Sequence, residues 1–250
     1  MNHSASWGLH WFRRDLRFAG NTALLANLER HQGRVLGIFF FDSNFLSRPD
    51  FSKRRFAFFL ETLKALRQEL MELGGDLLVL DALPKQGFDQ LLEHLKSAGK
   101  SLPTSCSFNR DYEPFARNRD KDIYHFLKEK GLLVHTARDH LLIEPRELSR
   151  PDGGYYQIFT PFSKRWFDSP LLTSRIAEEK PGLKYLIQNK RSEKPFQLTW
   201  RQVFQGGLLL TDQLDIFIEK TAQASKDLPK AGSQAAFKCL EHFSKHLSQY

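Results

Sequence analysis

Cysteine and long apolar runs are both scarce in this chain of 250 residues. Only two cysteines occur, Cys106 and Cys239, and neither lies in a Cys-x-x-Cys motif. This usage is typical of unpaired thiols in a reducing compartment. One of the longest apolar runs, Val35 to Phe41, is much shorter than a membrane span. We therefore expect a soluble protein of the cytoplasm without a membrane partner.

Several nucleotide-binding and catalytic motifs are also missing. The 15 glycines form no Gly-x-Gly-x-x-Gly and no Walker-type loop, so the sequence does not indicate a conventional NAD enzyme or a P-loop ATPase. The sequence also lacks the Gly-x-Ser-x-Gly elbow that would indicate a serine hydrolase. His242 and His246 share a predicted helix face, but no third ligand completes a metal site. We predict neither catalytic residues nor metal ligands in this chain.

Basic residues and phenylalanine are abundant. The chain has 37 Lys and Arg against 29 Asp and Glu, a net charge of +8 that is compatible with a polyanionic partner such as nucleic acid. Much of the excess lies between Lys180 and Arg201, where a solvated linker and a phosphate contact are alternative interpretations. The 22 phenylalanines supply core residues and, near strand ends, aromatic surface that could pack against flat rings.

Strand and helix patterns alternate along the first 140 residues. The predicted strands are Trp7–Phe12, Val35–Phe41, Asp76–Leu80, Thr104–Phe108 and Leu132–Thr136. The predicted helices are Thr22–Glu29, Ser52–Leu73, Phe88–Ala98 and Pro114–Glu129, with Ser52 as an N-cap and Pro114 in a first turn. Most strands are uniformly apolar, as parallel strands buried on both faces are. The pattern predicts an α/β fold with a doubly wound, five-stranded parallel sheet of the Rossmann-like type.

The alternation stops near residue 140, where Gly and Pro become frequent. We predict an α/β domain over residues 1–140, a connector over 141–232 and one further helix over 233–250. The apolar face of that last helix contains Ala236, Leu240, Phe243 and Leu247. A helix with such a face needs a partner surface.

Polar side chains follow the predicted strands at one edge of the sheet. Those after the first, second, third and fourth strands include Arg13, Arg14, Asp15, Asp42, Asp81, Asn109, Asp111 and Glu113. Open α/β sheets bind ligands outside the carboxyl ends of their strands. Together with Phe40 and Phe41, these residues could form a crevice for a flat, polar heterocycle.

Three ordered motifs closely resemble those of the DNA photolyase and cryptochrome family. They are Trp11 to Leu24, Phe108 to Asp120, and Tyr156 to Trp166. In the third motif, Thr160 would cap a helix that begins at Pro161. The resemblance extends from Trp7 to Trp166, and the closing helix is similar to the first helix of the family's flavin-binding lobe.

The resemblance implies a function in light-driven repair. It identifies the chain as the antenna lobe of a deoxyribodipyrimidine photolyase, whose helical lobe binds FAD and damaged DNA and repairs pyrimidine dimers. Here that lobe would be represented by its first helix, with Tyr250 near the start of the family's flavin contacts. We therefore expect these 250 residues to hold no FAD, to bind DNA weakly or not at all, and to be inactive alone. A cryptochrome-type photoreceptor and a free-standing small-molecule or partner-binding module are the alternatives.

The resemblance also implies an antenna site. Family members that use a deazaflavin or a flavin line it at positions that match Phe40, Phe41, Arg55, Asp111 and Glu113. We predict these five residues, and Arg13 at the same sheet edge, as cofactor-binding residues. Folate-using members carry an Asn-Glu pair where this chain has Phe115 and Ala116, so folate is less favoured. An empty pocket is the alternative interpretation.

Overall fold

The computed structural model describes residues 6–42, 46, 49–176, 195–199 and 228–247. Five strands form one parallel sheet in the order β3-β2-β1-β4-β5. The strands are β1 (Gly8–Trp11), β2 (Val35–Phe41), β3 (Leu77–Asp81), β4 (Ser105–Asn109) and β5 (Leu133–Ala137). The helices are α1 (Thr22–Arg30), α2 (Lys53–Glu72), α3 (Pro84–Ser97), α4 (Pro114–Glu129), α5 (Phe159–Phe167), α6 (Pro170–Ile176) and α7 (Ser233–His246).

The sheet separates two apolar clusters, because successive side chains of a strand point to opposite faces. On one face, β2 contributes Val35, Phe39 and Phe41 to a cluster with α1 and α2. On the other face, it contributes Ile38 and Phe40 to a cluster with α3 and α4. All seven residues of β2 are buried. The predicted α/β fold with a doubly wound, five-stranded parallel sheet is confirmed.

Helix starts follow local chemistry. The Ser52 side chain accepts a hydrogen bond from the Arg55 backbone N–H at 3.4 Å, so the predicted N-cap of α2 is confirmed. Pro114 opens α4, as predicted. The predicted start of α3 at Phe88 is wrong, since the helix begins at Pro84. A proline at the first helical position has no N–H that would need a partner, so it is as suitable a start here as in α4.

The predicted start of α5 is also wrong. The helix begins at Phe159, with Ile158 at the N-cap and no side-chain capping bond, and Thr160 lies inside it. Pro161 therefore occupies the first turn and does not start the helix. The first-turn N–H groups have no intrahelical partner, so proline is tolerated there.

The last described helix packs on the side of α2. Ser233 Oγ donates a hydrogen bond to Glu69 Oε2 at 3.1 Å. Beyond this contact, Phe237, Leu240 and Phe243 are about half exposed, and α7 has no buried residue. The expected apolar face is therefore present and largely uncovered by the described residues. Tyr250 and most of the basic run from Lys180 to Arg201 lie outside the described residues.

Across the described ranges, no helix combines the length and the hydropathy that crossing a membrane requires. The cytoplasmic location stays a prediction.

Candidate functional site at the carboxyl edge of the sheet

The strand order reverses between β1 and β4, which makes this pair the topological switch point of the sheet. Arg13, two residues after the end of β1, occupies this point. Its guanidinium donates hydrogen bonds to the Asp120 carboxylate and to the backbone carbonyl of Asn109. It also lies over the rings of Trp11 and Phe108, 4.8 and 5.1 Å from their centroids. Only 9% of the Arg13 side chain is exposed, so its donors are used within the protein.

Asn109 closes the same crevice from the end of β4. Its Nδ2 donates to Asn21 Oδ1 at 2.8 Å and also to the Asp15 carboxylate. Its Oδ1 accepts the backbone N–H of Ala23 at 3.1 Å. Asn109 is 3% exposed, and its side chain ties β4 to the first turn of α1. The polar groups that follow β1 and β4 are thus engaged with one another.

Beneath the switch point, on the α1 face, the sheet carries a buried polar layer. His10 Nδ1 lies 2.8 Å from Ser107 Oγ, and the His10 Nε2 is buried without a hydrogen-bond partner. The pKa of His10 is lowered to about 4, mainly by burial; the Asp15 charge partly opposes this effect, and the Arg13 and Arg17 charges add to it. His10 is therefore neutral at physiological pH.

An open cleft lies one strand away, between the end of β2 and the start of α2. Its volume is about 460 Å³, within the range of small-molecule sites. Six of its ten lining residues are phenylalanines. The lining residues are Phe39, Phe40, Phe41, Asp42, Asp50, Phe51, Ser52, Arg55, Phe56 and Phe59. We call this cavity the β2–α2 cleft.

The rings of the cleft form a packed aromatic wall. The centroids of Phe41 and Phe56 are 5.8 Å apart, and those of Phe39 and Phe59 are 5.5 Å apart. Phe56 and Phe59 are stacked at 6.2 Å with 21° between their planes. Such a wall offers flat π-surface in a concave site. It is suited to a planar, aromatic ligand.

Polar groups stand at the rim of the cleft. Asp42 follows β2, while Asp50 and Ser52 precede α2. The exposed Arg55 donates from Nη2 to the backbone carbonyl of Asp50 at 2.8 Å. A guanidinium has five N–H donors, so the residue can bind an anionic or carbonyl group of a ligand while keeping this bond. The cleft therefore combines an apolar wall with charges of both signs at its mouth.

Three of the residues predicted for the antenna site line this cleft: Phe40, Phe41 and Arg55. The two phenylalanines face different ways. The Phe41 ring packs toward α2, whereas the Phe40 ring packs edge-on against Phe88 of α3, 4.6 Å between centroids. Both residues line the cleft, but of the two only Phe41 belongs to the cluster that forms its aromatic wall.

The predicted residues Asp111 and Glu113 lie at the same sheet edge but do not line the cleft. Arg14 Nη2 donates to Glu113 Oε1 at 2.8 Å, and Arg14 Nη1 is 3.6 Å from Asp111 Oδ1. Burial alone would raise the pKa of Asp111, but backbone hydrogen bonds and the Arg14 charge lower it overall. Two strand spacings of about 4.8 Å separate β4 from β2, or about 10 Å.

Sequence reasoning missed Phe51, Phe56, Phe59 and Asp50 as lining residues. Phe56 and Phe59 belong to the apolar stripe of α2, where helical spacing indicates core packing. The available signal was their place in the first two turns of α2, a helix that begins at the edge where β2 ends.

A second cavity, of about 640 Å³, lies between the loop after β1, α2 and α7. Phe59 lines both cavities. The arginines at its mouth are already paired, Arg14 with Glu113 and Arg17 with Asp139. Within the described part of the chain, no three His, Cys, Asp or Glu side chains are grouped so that they could hold a metal ion.

Comparison with known proteins places this architecture in a family. The sequence profile of the DNA photolyase family, described as "DNA photolyase", matches residues 8–181. An uncharacterized 31.6 kDa protein from Synechococcus sp. PCC 6716 is 35% identical over 167 residues, which cover 66% of this chain and 56% of that protein. The deoxyribodipyrimidine photo-lyase of Synechococcus sp. PCC 6301 is 30% identical over 162 residues, which cover 65% of this chain and 32% of that protein.

The fold matches solved photolyases as well. The crystal structure of a class III photolyase from Agrobacterium tumefaciens superposes with a TM-score of 0.56 at 26% identity, covering 72% of this chain and 34% of that one. The matched region therefore covers about a third of each of these two photolyases and 56% of the smaller Synechococcus relative. Because the family profile covers more than half of the residues, the chain belongs to the DNA photolyase family.

Proposed function

We propose that this chain is the light-gathering lobe of a deoxyribodipyrimidine photolyase, and that the β2–α2 cleft holds a planar chromophore of the flavin or deazaflavin class. The observation that carries the proposal is the aromatic wall of the 460 Å³ cleft, with Arg55 and two carboxylates at its rim. Membership of the family supports the general role. When bound, such a chromophore absorbs near-ultraviolet or blue light and passes the excitation on.

The residues of the cleft fit this ligand class. Phe51 and Phe59, which are partly exposed, can contact the face of a fused ring system, and the buried Phe41 and Phe56 support them from behind. Arg55 can pair with a carbonyl or an anionic tail, and Asp42 can accept a ring N–H. The predicted roles of Asp111, Glu113 and Arg13 require a ligand that extends beyond the cleft toward β4.

Folate fits the proposal less well. Phe115 and Ala116 stand where folate-using relatives carry an Asn-Glu pair. Phe115 is 78% exposed in the first turn of α4, and Ala116 is buried. Neither side chain offers the hydrogen bonds that a pterin would need.

The repair chemistry belongs to the longer proteins. We propose that FAD binding, recognition of damaged DNA and dimer splitting require the helical lobe of a full-length photolyase. The 250 residues alone would then bind DNA weakly and leave dimers intact under light. The net charge of +8 supports at most a general attraction to nucleic acid.

A second candidate function is a free-standing chromophore-binding module. The Synechococcus relative favours it, because that 31.6 kDa protein matches 66% of this chain over 56% of its own length. An antibody against the chain separates the two candidates in extracts of the source cells. A band near 29.1 kDa supports the module, and a band about twice as heavy supports the lobe of a longer photolyase.

Titration tests chromophore binding in both cases. Riboflavin, FMN and a deazaflavin are each mixed with the chain, and quenching of ligand fluorescence is followed to saturation. We expect one ligand per chain for at least one of the three and no saturable binding of a reduced folate. Absence of saturable quenching with all three ligands would refute the proposal.

A further inference from the structure

The amino edge of the sheet, opposite the β2–α2 cleft, is covered by a short segment that comes late in the chain. Residues 195–199 have the sequence Pro-Phe-Gln-Leu-Thr. The Phe196 backbone N–H donates to the Leu73 carbonyl at 3.1 Å, and the Gln197 N–H donates to the Gly33 carbonyl at 2.8 Å. Leu73 follows α2 and Gly33 precedes β2, so the segment crosses the end of the sheet.

Two side chains of this segment are buried in the α/β core. Phe196 is 2% exposed and Leu198 is 5% exposed. Phe196 joins the cluster on the α1–α2 face, with its ring 5.7 Å from that of Phe18. Leu198 joins the cluster on the α3–α4 face. This five-residue segment therefore contributes one side chain to each of the two apolar clusters.

The α/β domain is shaped to receive this segment. A Cβ atom on Gly75 would lie 2.7 Å from Cγ of Phe196. Only glycine at this position leaves room for the ring as it stands. Phe18, Leu73 and Gly75 thus surround Phe196. We call these residues, together with the part of the α3–α4-face cluster that buries Leu198, the amino-edge socket.

We propose that residues 195–199 are a docking peptide, and that the amino-edge socket recognises an extended Phe-x-Leu sequence whether it comes from this chain or from a separate peptide. Main-chain hydrogen bonds and pockets for two apolar side chains are the elements by which extended peptides are generally recognised. Both elements are present here. The proposal is independent of chromophore binding, because the socket and the cleft lie at opposite edges of the sheet.

Peptide binding in trans tests the proposal. In the full chain, the double substitution Phe196→Ala and Leu198→Ala empties the socket and is expected to lower the thermal midpoint by about 10 °C. A fluorescein-labelled peptide with the sequence of residues 194–200, Lys-Pro-Phe-Gln-Leu-Thr-Trp, should bind this variant and restore part of the midpoint. It should not bind the wild-type chain, whose socket is filled. A peptide with Ala in place of Phe and Leu is the control.

A folded double variant that does not bind the labelled peptide would overturn the proposal. If the double variant does not fold, a cycle between Gly75→Ala and Phe196→Ala decides. We expect Gly75→Ala to lower the midpoint strongly in the wild-type chain and far less in the Phe196→Ala chain, because the clash is then removed. An equal shift in both backgrounds would contradict the socket. Gln197→Ala, at an exposed position between the anchors, should change the midpoint least.

Discussion

The switch point between β1 and β4 and the β2–α2 cleft lie at the same edge of one sheet. They differ in the side chains that line them and in what those side chains contact. At the switch point, Arg13 and Asn109 direct their polar groups at other protein groups. In the cleft, the walls are phenylalanine rings around a cavity of about 460 Å³. The first place is occupied by the protein itself, and the second is open to a ligand.

This difference shows that strand order alone does not locate the ligand site. Doubly wound sheets usually bind ligands at the switch point. Here the Arg13 side chain, which is 9% exposed, and the buried Asn109 use that position to join β1, β4 and α1. The candidate site is therefore displaced by one strand, to the point where β2 and α2 diverge. Four experiments test this difference between the two places.

The largest effect is expected at the switch point. Asn109→Leu keeps the branched shape but removes the hydrogen-bond partner of the Ala23 N–H and one partner each of the Asn21 and Asp15 side chains. We expect a loss of about 4 kcal/mol in the free energy of unfolding, because three hydrogen bonds of this network are lost and a larger side chain must fit. Urea denaturation measures it, with the exposed Asn118→Leu as control. A loss similar to that of the control would show that the network does not hold the switch point.

Lowering the pH is expected to reduce the free energy of unfolding through the polar layer under the switch point. The expected loss is slightly smaller than that of Asn109→Leu. Burial lowers the pKa of His10 to about 4 in the folded chain, from 6.5 when it is unfolded. The unfolded chain therefore binds more protons between these values, and stability falls as the pH is lowered from 6.5 to 4. The expected loss from this group is about 3 kcal/mol.

Denaturation at several pH values measures this loss. His10→Gln should flatten the slope between pH 6.5 and 4, whereas His125→Gln, at an exposed position of α4, should leave it unchanged. A slope that survives His10→Gln would assign the acid sensitivity to other groups.

A substitution at the rim of the cleft should change ligand affinity but not the free energy of unfolding. Arg55→Ala is expected to weaken flavin binding about tenfold, by about 1–2 kcal/mol, through loss of one charge-assisted hydrogen bond. The free energy of unfolding should change little, because the Arg55 side chain is exposed. Arg54→Ala, next to it on the helix and also exposed, is the matched control in the same titration. Equal affinities for the two variants would remove Arg55 from the site.

The smallest effect is expected at the carboxylates after β4. Asp111 and Glu113 contact Arg14 and do not line the cleft. Asp111→Asn should therefore change flavin affinity by less than about threefold, well under the effect of one lost charge-assisted bond. A tenfold loss in the same titration would show that the ligand reaches across β1 to β4, as the family resemblance implies.

Much of the fold could be predicted from local patterns. The uniformly apolar β2 and the helical stripe of α2 determine their elements, and Ser52 fixes a helix start that the structure confirms. The predicted helix starts are wrong where proline can occupy either of two positions in the first turn. Pro84 stands at the first position of α3, while Pro161 lies inside the first turn of α5. Sequence alone does not distinguish the two, because both positions have N–H groups without helical partners.

The site could be predicted only in part, since its walls depend on packing between distant elements. Phe41 and Arg55 were found through the family resemblance, but the pairing of Phe41 with Phe56 depends on how α2 lies on the sheet. The burial of Arg13 against Asp120 joins residues that are 107 positions apart. The contact of Phe196 with Gly75 likewise joins distant parts of the chain. No local pattern contains such contacts.

The most direct test of the contrast is a crystal structure of the chain loaded with the flavin that binds best in titration. We expect the ring system against Phe51 and Phe59 in the β2–α2 cleft, with the Arg13 and Asn109 bonds of the switch point unchanged. Flavin bound between β1 and β4, with Arg13 displaced, would show that the ligand site is the switch point and not the cleft.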